Sequence, residues 1–161
     1  MAQYYTDKQT ILNLIQIQQP DVKEQKLRIN LYMYFLFCVY IDFTNKVTEQ
    51  YGVIEQDNFY PKYLFESDWY YTTYGPKDDS FNFDTEDTSY DWGTTSFDVE
   101  IQQLLVHTIN DLENRSDFQL VDRWNEEPHF LKYYHNKYDG QPKASIDPQD
   151  IYDAWYKTVR V

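Results

Sequence analysis

The chain has 161 residues, with 14 Lys plus Arg against 27 Asp plus Glu, and a formal net charge of -13. Aromatic residues make up 19 %, as 17 Tyr, 10 Phe and 4 Trp. That length fits one domain large enough to bury a core, the aromatic content excludes an acidic disordered chain, and the acidity argues against direct nucleic-acid binding, which needs clustered Lys and Arg.

The acidity favours a basic protein partner, reached by electrostatic steering. The one cysteine, Cys38, cannot form an internal disulfide, so nothing suggests a stapled secreted fold. The start, MAQYYTDKQT, lacks the basic region and apolar core of a signal peptide. A cytoplasmic protein is expected, with no membrane contact.

In chain order, Thr6 and Gln9 read as a capping box, opening a short helix on Ile11, Leu12, Leu14 and Ile15 that ends before Pro20. Asp21 is the expected N-cap of a long central helix over about 21–50, stopped by Gly52. Its densest part, Leu31 to Phe43, has Asp42 as its one charged residue, and Leu27, Leu31, Tyr34, Phe35, Cys38 and Ile41 share one face at helical spacing. Those thirteen residues, with Tyr32, Tyr34 and Tyr40 among them, fall short of the roughly 20 apolar residues of a bilayer span. A buried core helix is expected, with these tyrosine hydroxyls at its rim bonded to the segment that follows.

That segment, an irregular aromatic and acidic excursion over 58–95, has a Tyr74-Gly75-Pro76 turn and residues that allow a short β-hairpin near Tyr70 to Tyr74. Helical patterning returns with Thr95 and Asp98 opening a helix on Phe97, Ile101, Leu104, Leu105, Thr108 and Leu112. Ser116 and Gln119 form a second capping box for a helix to about Trp124, and Pro128 opens another over about 129–137. Asp147 at N-cap with Pro148 at N1 starts the last, on Ile151, Ala154, Trp155 and Thr158. The expected fold class is mostly α: a compact single domain over 1–161, around one buried central helix.

Three motifs occur in a recognisable order. Lys26-Leu27-Arg28-Ile29-Asn30-Leu31-Tyr32 resembles a K-L-x-x-L-L-Y helix opening. Trp69 through Pro76 resembles an A-W-x-Y-G-P segment, with Thr72 where that pattern has Trp and Lys77-Asp78-Asp79 where it has an apolar residue. The stretches 116–121, 124–130 and 146–152 are similar to a closing pattern of a capped S-x-x-x-L helix, a histidine- or aromatic-bearing turn and a final I-S-x-x-x-I helix. Together, over roughly residues 10 to 156, these resemble the Panacea, or SocA-like, antitoxin domain family of prophages and mobile elements. The resemblance implies a helical protein-binding module that neutralises a toxin by direct contact or delivers a partner for proteolysis.

The candidate partner-binding residues are Trp69, Tyr70, Tyr71 and Tyr74, rigid anchors of the kind enriched in binding hot spots, with the acidic run Asp78, Asp79, Asp84, Glu86, Asp87 and Asp91. The bland readings are rings that cap the central helix and a solvated acidic loop. The acidic spacing fits no EF-hand. His107, His129 and His135 make no pair with metal-ligand spacing, a thiol buried among rings has its pKa raised, and four glycines form no phosphate-cradling loop. No enzyme activity and no cofactor is therefore expected. A second reading is an acidic anti-CRISPR inhibitor that mimics nucleic acid in the basic channel of a guided nuclease; a structural phage protein is a third.

Overall fold

The computed structural model describes residues 3–51, 61–72, 75–80, 92–125 and 145–159. The described chain is mostly helical: α1 (Lys8–Gln18), a 3-10 turn (Pro20–Glu24), α2 (Lys26–Tyr51), β1 (Tyr70–Thr72), β2 (Gly75–Lys77), α3 (Ser96–Glu113), α4 (Asp117–Asn125) and α5 (Pro148–Val159). The two strands form one antiparallel hairpin, pairing Tyr70 with Lys77, Tyr71 with Pro76 and Thr72 with Gly75. No described helix is long and apolar enough to cross a membrane.

Helix α2 is the axis of the fold and touches every other described helix and β2. From Ile29 to Cys38 it has no exposed position, so neighbours on all sides replace the usual polar stripe of a surface helix. Burying each of its Leu, Ile and Phe side chains contributes about 1.5–3 kcal/mol, which is what holds the shorter helices to it. Leu27 departs from the expected face, at 39 % exposed. It lies in the first turn, before the neighbouring helices close over α2.

The residues after the central helix return to it as an aromatic clamp. The ring of Phe37 stacks on Tyr63 at 5.7 Å and meets Phe65 edge-on at 5.3 Å, while Tyr34 meets Trp69 edge-on at 5.5 Å. The amino-terminal residues strap this segment from outside, with Tyr5 N donating to Tyr63 O and Thr6 N to Leu64 O, both at 2.9 Å.

That strap moves the first helix cap. Asp7, extended at φ -102 and ψ 163, accepts from Thr10 N and caps α1, because the backbone of Thr6 is engaged with Leu64. The start of α2 also shifts: residues 20–24 wind as a 3-10 turn, Gln25 adopts φ -113 and ψ 75, and α2 begins at Lys26 instead of Asp21. The caps at Thr95–Asp98, Ser116–Gln119 and Asp147 form as their sequences dictate. The helix expected after Pro128 lies outside the described residues.

Arg28 joins the two ends of the bundle. Buried in the first turn of α2, it donates from Nη2 to the carbonyls of Leu112, Glu113 and Arg115, and from Nη1 to Asp117. It thus caps the carboxyl end of α3 with a cation, where the helix dipole favours one, and fixes the first turn of α4. Its Nε donates to the hydroxyl of Tyr32, which in turn donates to Gln19. That hydroxyl is therefore satisfied inside the helical core. Tyr40 does bond to the returning segment, donating to Pro61 O at 2.7 Å.

Candidate protein-binding surface

The hairpin sits against α2 because Gly75 allows it. Gly75 has φ +124, a region L side chains rarely adopt, and a Cβ there would lie 2.8 Å from Leu31 Cδ2 and 3.8 Å from the Trp124 ring. With the hairpin seated this closely, Pro76 is buried and the next residues turn back across the fold.

Asp78 is the pivot of that turn. It is fully buried and takes hydrogen bonds from Asp68 N at 2.8 Å, Ser80 N at 2.9 Å and the Ser80 hydroxyl, with Lys8 Nζ 3.1 Å away. Its own backbone N–H donates to Asn30 Oδ1 on α2 at 2.9 Å. Burial pushes its carboxyl pKa up, but the hydrogen bonds from Asp68, Ser80 and Lys8 outweigh burial and hold it below its ordinary value. Asp78, expected on a partner-facing surface, is thus a buried tie between α1, α2 and the hairpin. Trp69 is likewise enclosed, 1 % exposed within the aromatic clamp. Neither is presented to solvent.

Tyr70 and Asp79 are presented. The Tyr70 hydroxyl donates to Asp79 Oδ2 at 2.8 Å, and its pKa is pushed up to about 12 by burial and by the Asp79 carboxylate. Asp79 leaves 59 % of its side chain exposed, with Lys77 Nζ at 3.9 Å. Asp68 is also exposed. Tyr74, Asp84, Glu86, Asp87 and Asp91, together with the side chain of Tyr71, lie outside what the structure describes.

Between these residues and the start of α5 lies an open cleft of about 610 Å³. One wall is Ser67 to Tyr70, a second Asp78 to Ser80, and the third Ser145, Ile146 and Pro148. The walls are tied together by Ile146 N donating to Trp69 O at 2.8 Å and by an antiparallel bridge between Tyr70 and Ser145. Nothing in the sequence places this third wall beside the hairpin: residues 145–148 read as the start of the last helix. A smaller, mostly apolar slot of about 260 Å³ lies across the hairpin, between Leu27 and Pro76.

Among the described residues no group of three His, Cys, Asp or Glu side chains is placed to hold a metal, and the Cys38 thiol is buried in the core. Comparison with protein-family models, with curated proteins and with solved structures finds nothing that matches this chain.

Proposed function

We propose that the chain is a non-enzymatic, protein-binding inhibitor of the antitoxin-like kind, from a phage or mobile element, that neutralises a basic toxin or host defence protein by direct contact. The observation that carries this reading is the Tyr70–Asp79 pair. It offers an aromatic ring and a carboxylate side by side at the rim of a cleft, on a hairpin fixed against the core by Gly75 and Asp78. A rigid aromatic anchor beside a complementary charge is the composition of an interface hot spot. The cytoplasm of a bacterial host is the compartment this role implies. Affinity capture from host lysate with tagged protein tests it: wild type should recover a defined basic protein, and Tyr70→Ala and Asp79→Lys, both folded, should lose it. Undiminished recovery by both variants would move the contact elsewhere.

The net charge of -13 supports a second reading, an acidic mimic of nucleic acid that occupies the basic channel of a guided nuclease. Affinity for such a nuclease would then fall steeply with added salt, and an affinity unchanged between low and high salt would exclude mimicry.

A further inference from the structure

The hairpin is short for an element that presents a binding pair. It has three residue pairs between Tyr70 and Lys77, and a lone two-stranded hairpin is marginal in water. Its turn end is closed by the Thr72 hydroxyl, which donates to Gly75 O at 2.6 Å. Its open end is closed by one carboxylate. Asp78 Oδ2 accepts from Asp68 N, ahead of β1, while Asp78 Oδ1 accepts from Ser80 N and the Ser80 hydroxyl, beyond β2. Asp79 lies between Asp78 and Ser80, so its hold on the Tyr70 hydroxyl at 2.8 Å depends on that clasp.

A carboxylate with no exposed side-chain surface needs a matching cation. Lys8 supplies it: Nζ lies 3.1 Å from Asp78 Oδ2 and also donates to the Ser80 hydroxyl. Lys8 is the first residue of α1, and the residues before it fix its place. Tyr5 N and Thr6 N donate to Tyr63 O and Leu64 O, and Asp7 caps the helix by accepting from Thr10 N at 2.7 Å. A connected path therefore runs from the amino-terminal strap through Lys8 to the open end of the hairpin. Without the ammonium, Asp78 keeps an unmatched charge inside the fold. Turning its carboxylate out to water relieves that cost and releases Asp68 N and Ser80 N together, so the two arms part and Asp79 leaves Tyr70.

We infer that Lys8 is a positioning residue for the hairpin surface: from α1 it holds the Asp78 clasp shut and so keeps Tyr70 and Asp79 side by side. The inference rests on the reading of that pair as the partner contact and names what pre-organises it. Lys8 acts through Asp78 and Ser80 and needs no contact with the partner.

The test is amide hydrogen exchange on the full-length protein. Lys8→Met should speed exchange at Asp68 and Ser80 by about tenfold more than at Phe37 and Cys38 in α2, the mark of a hairpin that opens on its own. In an Asp78→Asn background the same substitution should add little, because no buried charge is left to match. Uniform acceleration across hairpin and α2, or equal effects in the two backgrounds, would reduce Lys8 to a general structural role and overturn the inference. Wild type gives a reading that needs no variant to fold: by proton NMR the Lys8 ammonium should exchange with water more slowly than that of Lys77, whose side chain is 49 % exposed. Equal rates would also overturn the inference. Failure here is distinguishable from failure of the functional reading. A Lys8→Met protein whose hairpin opens, yet which captures the same partner from host lysate as wild type, leaves Lys8 in its positioning role and removes the hairpin as the contact. A hairpin that stays shut in Lys8→Met removes the role of Lys8, whatever is captured.

Discussion

Arg28 and Asp117 stand 89 residues apart in sequence and 2.9 Å apart in space. The pair is the outer end of a buried network in which one guanidinium also donates to three carbonyls and to the Tyr32 hydroxyl. Its value is unequal between the partners, because Asp117 leaves 53 % of its side chain in solvent and Arg28 only 10 %.

That inequality sets the first prediction. Arg28→Ala strands several buried acceptors and should destabilise by about 3 kcal/mol, whereas Asp117→Ala should lose no more than about 1 kcal/mol. Arg28→Lys should recover little, since a single ammonium cannot span acceptors on both α3 and α4. Urea denaturation midpoints check the order. Equal losses at the two positions would show the carbonyl contacts to be unimportant.

Gly75 makes a second. Gly75→Ala should destabilise by about 2 kcal/mol, through the strain of an L residue at φ +124 and contact with Leu31. Combining it with Leu31→Ala should give less than the sum of the two single losses, because the missing methyl groups free the space the new Cβ needs. Strict additivity by thermal or urea melts would mean that backbone conformation alone is at stake.

Acid should unfold the protein through two carboxylates. The Tyr5 hydroxyl donates to Asp98 at 2.5 Å, and this bond, with those from Thr95, holds Asp98 below its ordinary pKa; Asp78 is lowered too. Where the folded-state pKa is the lower one, the unfolded chain binds more protons. The stability these groups contribute is therefore complete above the unfolded value and is lost as pH falls below about 4. Asp78→Asn should flatten the acid limb of a stability–pH profile; an unchanged slope would mean the Lys8–Asp78 tie makes no net contribution.

Tyrosine governs the alkaline limb with the opposite sign. Burial and the Asp98 bond raise Tyr5, burial and nearby acids raise Tyr63, and Tyr70 reaches about 12. Stability from a raised pKa is complete below the unfolded value and is lost as pH rises above about 10. Tyr5→Phe should make that limb shallower, checked by stability against pH with phenolate absorbance followed in parallel.

Phe118 serves as the control for binding. It is 76 % exposed on α4, so Phe118→Ser should change stability by less than about 0.5 kcal/mol. On the hairpin reading it should also leave partner capture intact. Loss of capture with this variant would place the contact on α4.

Much of this was legible residue by residue. Thr95 with Asp98, Ser116 with Gln119, and Asp147 with Pro148 are local chemistries that close over a few bonds, and each forms as written. The unbroken apolar run of α2 could only be core. Long-range pairings hid the rest. Asp7 displaces Thr6 as cap because Leu64 claims the backbone of Thr6, and Asp78 goes inside because Lys8 and Asn30 meet it there. An acidic run looks the same in sequence whether or not a distant lysine neutralises one of its members. The aromatic density around Trp69 divides in the same way: Trp69 closes the core while Tyr70, the next residue and the first of β1, reaches Asp79 at the cleft.

The most direct measurement is a hydrogen-exchange footprint of the protein alone and in complex with the protein it captures from its host. Binding at the hairpin should protect the amides of residues 67–70 and 77–80 and leave those at the amino end of α4 unchanged. Protection confined to α3 and α4, or the recovery of no protein that protects any surface, would contradict a partner-binding hairpin.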